Sequence, residues 1–228
     1  MATNSNNTRS LLSAVVEKST LKQEVFQSTL GVFNSFKNEC ETLVIKNRRQ
    51  FSKAKYPLLF EFSERGEFEF KLSFGSDTLV FFMHSNVFEF SRDHEVMKST
   101  YIREDKTRSY CGIIHIFNFL ADSLRYNRTG DVGYCIGRVF LNRELHYFIE
   151  GKRELGLLYN NFPSAELDLT VVRSIIHSAM LYTVNFDLLT PPFDSIKEVT
   201  VGEILTTLDA MSIRTGKRLG FRFQADEG

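Results

Sequence analysis

Asp131, His146, Glu150 and Lys152 are residue types suited to metal-assisted chemistry, and they fall within one short stretch, DVGYCIGRVFLNRELHYFIEGKREL, Asp131 to Leu155. Carboxylates are hard oxygen ligands that suit Mg²⁺, and a bound metal lowers the pKa of its water. The stretch reads as a β-hairpin. Tyr134–Leu141 and Glu144–Glu150 are apolar, β-favouring runs on either side of the polar break Asn142-Arg143. A bend of two or four residues centred there pairs Leu141 with Glu144, Val139 with His146, Gly137 with Phe148 and Cys135 with Glu150. Directly paired residues share a side of the sheet. His146 and Glu150 are therefore expected on one face, joined by Lys152 and Asp131 where pairing continues past the strand ends. Gly133 and Gly137 leave room on that face. A bend of odd length breaks the register and scatters the cluster.

An acid at the start of one strand, followed by Glu-x-Lys at the end of the next, resembles the PD-(D/E)xK nuclease pattern, here Asp131, Glu150 and Lys152. Gly130 stands where that family has a proline, and the resemblance covers about a tenth of the chain. It implies Mg²⁺ held by Asp131 and Glu150, with Lys152 helping to activate water and His146 close by. The other reading of the same residues is a surface hairpin on which Glu150, Lys152, Arg153 and Glu154 form a solvated charge cluster.

These residues need a scaffold, and the chain supplies one. Its 228 residues are 43% hydrophobic and 25% charged, in the range of a soluble globular protein. The 28 basic and 28 acidic residues cancel, so overall charge gives no pull toward nucleic acid or an anionic membrane. A polyanionic partner therefore needs a local patch. One candidate is Lys46, Arg48, Arg49, Lys53 and Lys55, with Phe51 and Tyr56 interleaved. Such cations neutralise phosphates; they are equally at home at a helix C-terminus.

Before that run, Leu21 to about Arg49 has helical periodicity. Phe26, Leu30, Phe33, Cys40 and Val44 recur at spacings of three, four and seven, widened by Val25, Val32, Phe36 and Leu43. Leu11–Val16 is expected to start a helix of its own, with Ser19 or Thr20 capping the longer one. The broad stripe packs on a sheet or pairs with a second copy, and in the second case Phe26, Leu30 and Phe33 form the interface. Met1–Arg9 is expected to be frayed.

After Pro57, Leu58–Ser91 alternates phenylalanines with charged residues between short turns, which predicts an antiparallel meander of four strands ending at Phe88–Phe90. There are 22 Phe and no Trp, which a Phe-rich sheet core explains. Arg92–Arg108 is a polar loop suited to a lid or a partner contact. Tyr110–Tyr126 is read as a helix on the spacing of Ile114, Phe117, Ala121 and Leu124. Leu167–Leu188 is a second long helix, stopped by Pro191-Pro192. Val201–Met211 is a last helix, and Leu219–Phe223 a last strand.

The expected fold is α+β: a mainly antiparallel, Phe-rich sheet packed with helices, plus a long N-terminal helix. Residues 1–10 form a flexible N-terminus, 11–56 a helical extension and 57–228 a single α+β domain. Cys40, Cys111 and Cys135 are isolated and fit a reducing compartment, and no apolar run nears the roughly 20 residues of a membrane span. A soluble cytoplasmic protein that does not contact membrane follows. No Walker, dinucleotide-binding, nucleophile-elbow or HExxH motif occurs. The leading functional expectation is a non-enzymatic binding or regulatory module without a cofactor, homo-oligomeric through its N-terminal helix and open to a protein partner. The alternative is the Mg²⁺-dependent nuclease, with Lys46–Lys55 holding nucleic acid.

Overall fold

The computed structural model describes residues 2–56, 58–152, 155–156, 161–187, 190, 192–195 and 197–202. Alternation writes the first three strands. In Glu69–Phe74 (β2), Phe70, Leu72 and Phe74 are buried while Glu69, Lys71 and Ser73 turn the other way. Phe60–Glu64 (β1) and Asp77–Met83 (β3) flank it. Gly66 and Gly75 sit in the two connecting turns at φ +73° and +56°, a left-handed conformation that glycine adopts without cost. The strands Phe88–Glu89 (β4), Tyr110–Leu120 (β5), Tyr134–Leu141 (β6) and Tyr147–Gly151 (β7) complete an antiparallel sheet of order β1-β2-β3-β5-β6-β7. The meander holds for three strands only. Two-residue β4 pairs with β5, and β5 takes the edge of β3 along its whole length, from Asp77↔Leu120 to Met83↔Ile114.

Tyr110–Tyr126 is therefore corrected. It is a strand to Leu120, and only Ala121–Arg125 (α3) is helical. Ile113, Ile114 and Ile116 are β-branched, and in the centre of a sheet they bury side chains on both faces. That burial outweighs the helical spacing.

The helix Ala2–Ser52 (α1) is one unbroken rod, about 76 Å long at the usual rise. Ser19 and Thr20 lie inside it rather than capping it, and the Asn-rich start is helical from Ala2. From Leu21 onward it lies on the inner face of the sheet with Leu169–Val184 (α4) beside it. Asp168 caps α4 by accepting from the Val171 N–H at 2.8 Å. Phe33 meets Phe70 at 5.2 Å between ring centroids, Phe36 meets Phe81 at 5.7 Å, and Phe70 stacks on Phe81 at 4.6 Å. Arg173 of α4 makes two 2.8 Å hydrogen bonds to Glu39 of α1. The helix comes so close to β5 that a Cβ on Gly112 would lie 2.0 Å from Thr29 Oγ1.

The segment 92–109 is ordered by 3-10 turns at Glu95–Lys98 and Lys106–Ser109 around the short helix Thr100–Glu104 (α2). It covers one end of the outer face, where Phe90, Ile102, Cys111, Ile113, Phe140, Phe148 and Phe162 form a second core. No helix among the described residues is long and apolar enough to cross a membrane. Most of the expected last helix and all of the last strand lie outside the described residues.

Candidate functional site

The bend between β6 and β7 holds five residues, 142–146, and the ladder pairs Leu141 with Tyr147, Phe140 with Phe148, Val139 with Ile149 and Arg138 with Glu150. The even-count register is thereby corrected, and the cause is Asn142. Its N–H donates to the His146 carbonyl at 3.0 Å. Its Oδ1 accepts from the N–H groups of Glu144 and His146 at 3.0 and 3.1 Å. Its Nδ2 donates to Tyr101 Oη at 2.9 Å and to the Arg108 carbonyl at 3.4 Å. Asn142 is fully buried, and a three-residue tip remains, with Leu145 in the left-handed region at φ +64°. A three-residue hairpin loop ending on a left-handed residue is a common solution.

The odd bend separates the four residues. Glu150 lies on the outer face, ion-paired to Arg138, with His94 Nε2 at 3.6 Å. His146 turns to Tyr101, ring on ring at 4.5 Å, with Nδ1 3.0 Å from the Phe162 carbonyl. Asp131 belongs to the loop after α3, where it accepts from Ser123 Oγ at 2.6 Å and pairs with Arg128 at 3.1 Å. Glu150 sits opposite Arg138, and the four strand steps back to Tyr134 already span about 13 Å. Asp131 precedes Tyr134, so the two carboxylates are not brought to one ion. Lys152 is exposed, its N–H donating to the carbonyl of Ile136, a residue bulged out of the β5–β6 ladder. Among the described residues no group of three or more His, Cys, Asp or Glu could hold a metal.

Instead, the bend is a junction. Tyr101 Oη donates to Glu144 at 2.8 Å, and Arg108 lies 4.3 Å over the Tyr101 ring while pairing with Glu144 at 3.2 Å. Arg143 reaches Asp105 and Glu24, each at 3.2 Å. Segment 92–109, the hairpin and α1 are thus clamped together. Burial pushes the Tyr101 hydroxyl up to about 12, the Asn142 donor opposing and Glu144 assisting. For Glu144, burial pushes the carboxyl up, but the Tyr101 and Arg108 donors outweigh it and hold it below the usual range.

The two remaining sets of site residues separate clearly. Lys46, Arg48, Arg49, Lys53 and Lys55 are all exposed, at and just past the C-terminus of α1. Phe33 is fully buried, and Phe26 and Leu30 pack against the same core, Phe26 edge-on to Phe68 at 6.1 Å. These three are corrected from interface to core, because the sheet of the same chain takes up their stripe.

What the helix leaves uncovered lies earlier. The alternating spacing of four and three that sets Val25, Thr29, Val32 and Phe36 on the sheet runs back through Lys22, Lys18, Val15 and Leu11. Residues 8–20 are all exposed, and Leu11, Leu12, Val15 and Val16 are between 52% and 65% exposed. The signal in the sequence was the apolar cluster Leu11–Val16, whose stripe has no strand of the described residues beneath it. At the base of this overhang a crevice of about 570 Å³ is lined by Lys18, Glu24, Glu89, Tyr110 and Arg143. Several of its polar groups are paired: Lys18 bonds Tyr110, Tyr110 donates to Glu89 and Arg143 pairs with Glu24.

Comparison with protein-family models, with curated proteins and with solved structures finds no match.

Proposed function

We propose that the protein is a non-catalytic binding module that assembles with a second copy through the overhanging start of α1. The exposed quartet Leu11, Leu12, Val15 and Val16 carries this reading. It prolongs the core-facing stripe of the same helix, and a helix stripe of this kind is stable when covered. A second copy fits it for an electrostatic reason. Identical groups meet at a two-fold axis, so a charge there would face itself; residues 10–16, SLLSAVV, carry none. Arg9 and Glu17 bracket the window, each four residues from Ser13. An antiparallel crossing at Ser13 sets Arg9 of each copy level with Glu17 of the other.

Sedimentation or light scattering over a rising concentration tests the reading. The wild type is expected to pass from monomer to dimer, and Leu12→Glu with Val15→Glu to hold it monomeric without lowering its melting temperature. A wild type that stays monomeric at about 1 mM, the weak end of specific association, would sink it.

A further inference from the structure

The two edges of the sheet are finished differently. Beside the start of β7 the segment 165–167 runs as one more short ladder, Tyr147 N–H donating to the Ala165 carbonyl at 3.1 Å and Leu167 N–H to the Leu145 carbonyl at 2.9 Å. β1, at the opposite edge, has no such cover among the described residues. Two hydrogen bonds fix which way its backbone groups point. Gly75 N–H donates to the Leu59 carbonyl and Arg65 N–H to the Glu69 carbonyl, each at 2.9 Å. Between them the register runs unbroken from Phe60↔Phe74 to Glu64↔Phe70. Bonded and non-bonded pairs alternate along an antiparallel ladder. Glu61 and Ser63 therefore bond to β2, while the N–H and C=O groups of Phe60, Phe62 and Glu64 point away from the sheet. No described residue bonds to them. Such a row is a template for another extended chain.

Alongside this row α1 and β1 bound a groove of about 250 Å³. It is lined by Val44, Ile45, Phe60 and Phe62, with Glu41, Arg48 and Glu61. Ile45 is 70% exposed, and Phe62 is half-buried against Phe70, 5.7 Å between centroids. On a strand laid against β1, side chains opposite Phe60 and Phe62 share their face and meet this groove, and the one opposite Glu61 shares the outer face with it. Charge selects the occupant. Glu41 and Glu61 pair with no cation among the described residues, whereas Glu64 is engaged by Lys37 at 2.8 Å. A second copy of β1 set antiparallel would gather two Glu61 and two Glu64 carboxylates in one short ladder, which disfavours self-pairing. An extended segment with a cation opposite Glu61 meets no such repulsion.

We propose that β1 takes up an extended peptide of a partner protein as an added antiparallel edge strand, with apolar side chains in the groove and a lysine or arginine opposite Glu61. In this mode main-chain hydrogen bonds supply affinity and side-chain pockets supply specificity. Antiparallel pairing is the more stable geometry. The inference names what the binding module holds. Ile45 lies about 44 Å along the rod from Val16, so the edge is independent of assembly through the overhang.

The experiment takes the full chain and a fluorescein-labelled eight-residue peptide alternating leucine with lysine, read by anisotropy and by amide hydrogen exchange. In the free protein the amides of Phe60, Phe62 and Glu64 are expected to exchange freely while those of Glu61 and Ser63 are slowed, and saturating peptide is expected to slow the first three about tenfold. Leucines opposite Phe60 and Phe62 turn their N–H groups to β1, so N-methylating the leucines is expected to abolish binding and N-methylating the lysines to spare it. Ile45→Asp is expected to weaken binding about tenfold and Glu61→Lys about threefold. Both positions are exposed, and unchanged thermal melting reports that the fold is intact. The proposal is overturned by no binding at about 1 mM peptide, by a leucine-methylated peptide that binds as well as the unmodified one, or by folded Ile45→Asp and Glu61→Lys variants that bind like wild type. It is overturned equally if the Phe60, Phe62 and Glu64 amides are already slowed in the free protein: at every concentration the chain then covers its own edge, and with rising concentration a second copy does. Leu12→Glu with Val15→Glu is expected to leave peptide affinity unchanged, so failure of this proposal and failure of assembly are read separately.

Discussion

Asn142 is the residue on which the hairpin turns. It makes hydrogen bonds through every polar group of its side chain, and removing them strands the N–H groups of Glu144 and His146 in a part-buried bend. Asn142→Ala is therefore expected to cost about 3 kcal/mol, read as a lower denaturant midpoint at unchanged slope. Its neighbour Glu144 titrates the same junction. A carboxyl held below its usual range stabilises the fold above its unfolded pKa, and that contribution is lost as pH falls through the depressed folded value. Acid unfolding below about pH 4 is expected to depend less steeply on pH in Glu144→Gln. Equal steepness in wild type and variant would show that the Tyr101–Arg108 clamp does not act on this group.

At the scale of elements, the contact of α1 with β5 sets how the helix lies on the sheet. Gly112→Ala places a methyl against Thr29 and is expected to destabilise by about 2 kcal/mol. Thr29→Ala in the same chain removes the two nearest obstructing atoms, Oγ1 and Cγ2, and leaves the Thr29 Cβ at 2.8 Å, so it is expected to recover part of that loss, a coupling visible in a double-mutant cycle. Additive losses would mean that the helix shifts to make room. The sequence announced α1, α4 and strands β1 to β3 because their apolar spacing is local and short turns separate the strands. It misled at β5, where a central strand buried on both faces loses its two-residue period and leaves a three-to-four spacing by accident. The site failed for a different reason. Whether Asn142-Arg143 is the tip of the bend or its first half depends on side-chain bonds to Tyr101 and Arg108, some 40 residues away in sequence. Hydrophobic pattern carries no trace of those bonds, yet they decide which residues face Glu150.

For the whole molecule, the overhang governs association. Each side chain of the quartet gains about 1 kcal/mol on passing from its present exposure to burial, so eight on two copies gain about 8 kcal/mol. Holding two bodies together costs about 4 kcal/mol or more. The difference, about 4 kcal/mol, leaves a weak dimer with a dissociation constant of about 1 mM, whose population follows concentration. An association that is tight at nanomolar concentration would mean that more than the overhang is buried. Thr29 and Gly112 are locked together near the midpoint of the same rod that carries Leu11 and Val16 at its free end. A pull on that free end is therefore delivered, as through a keyed shaft, to the middle strand of the sheet, and tension from a tethered partner would be felt first in the centre of the fold.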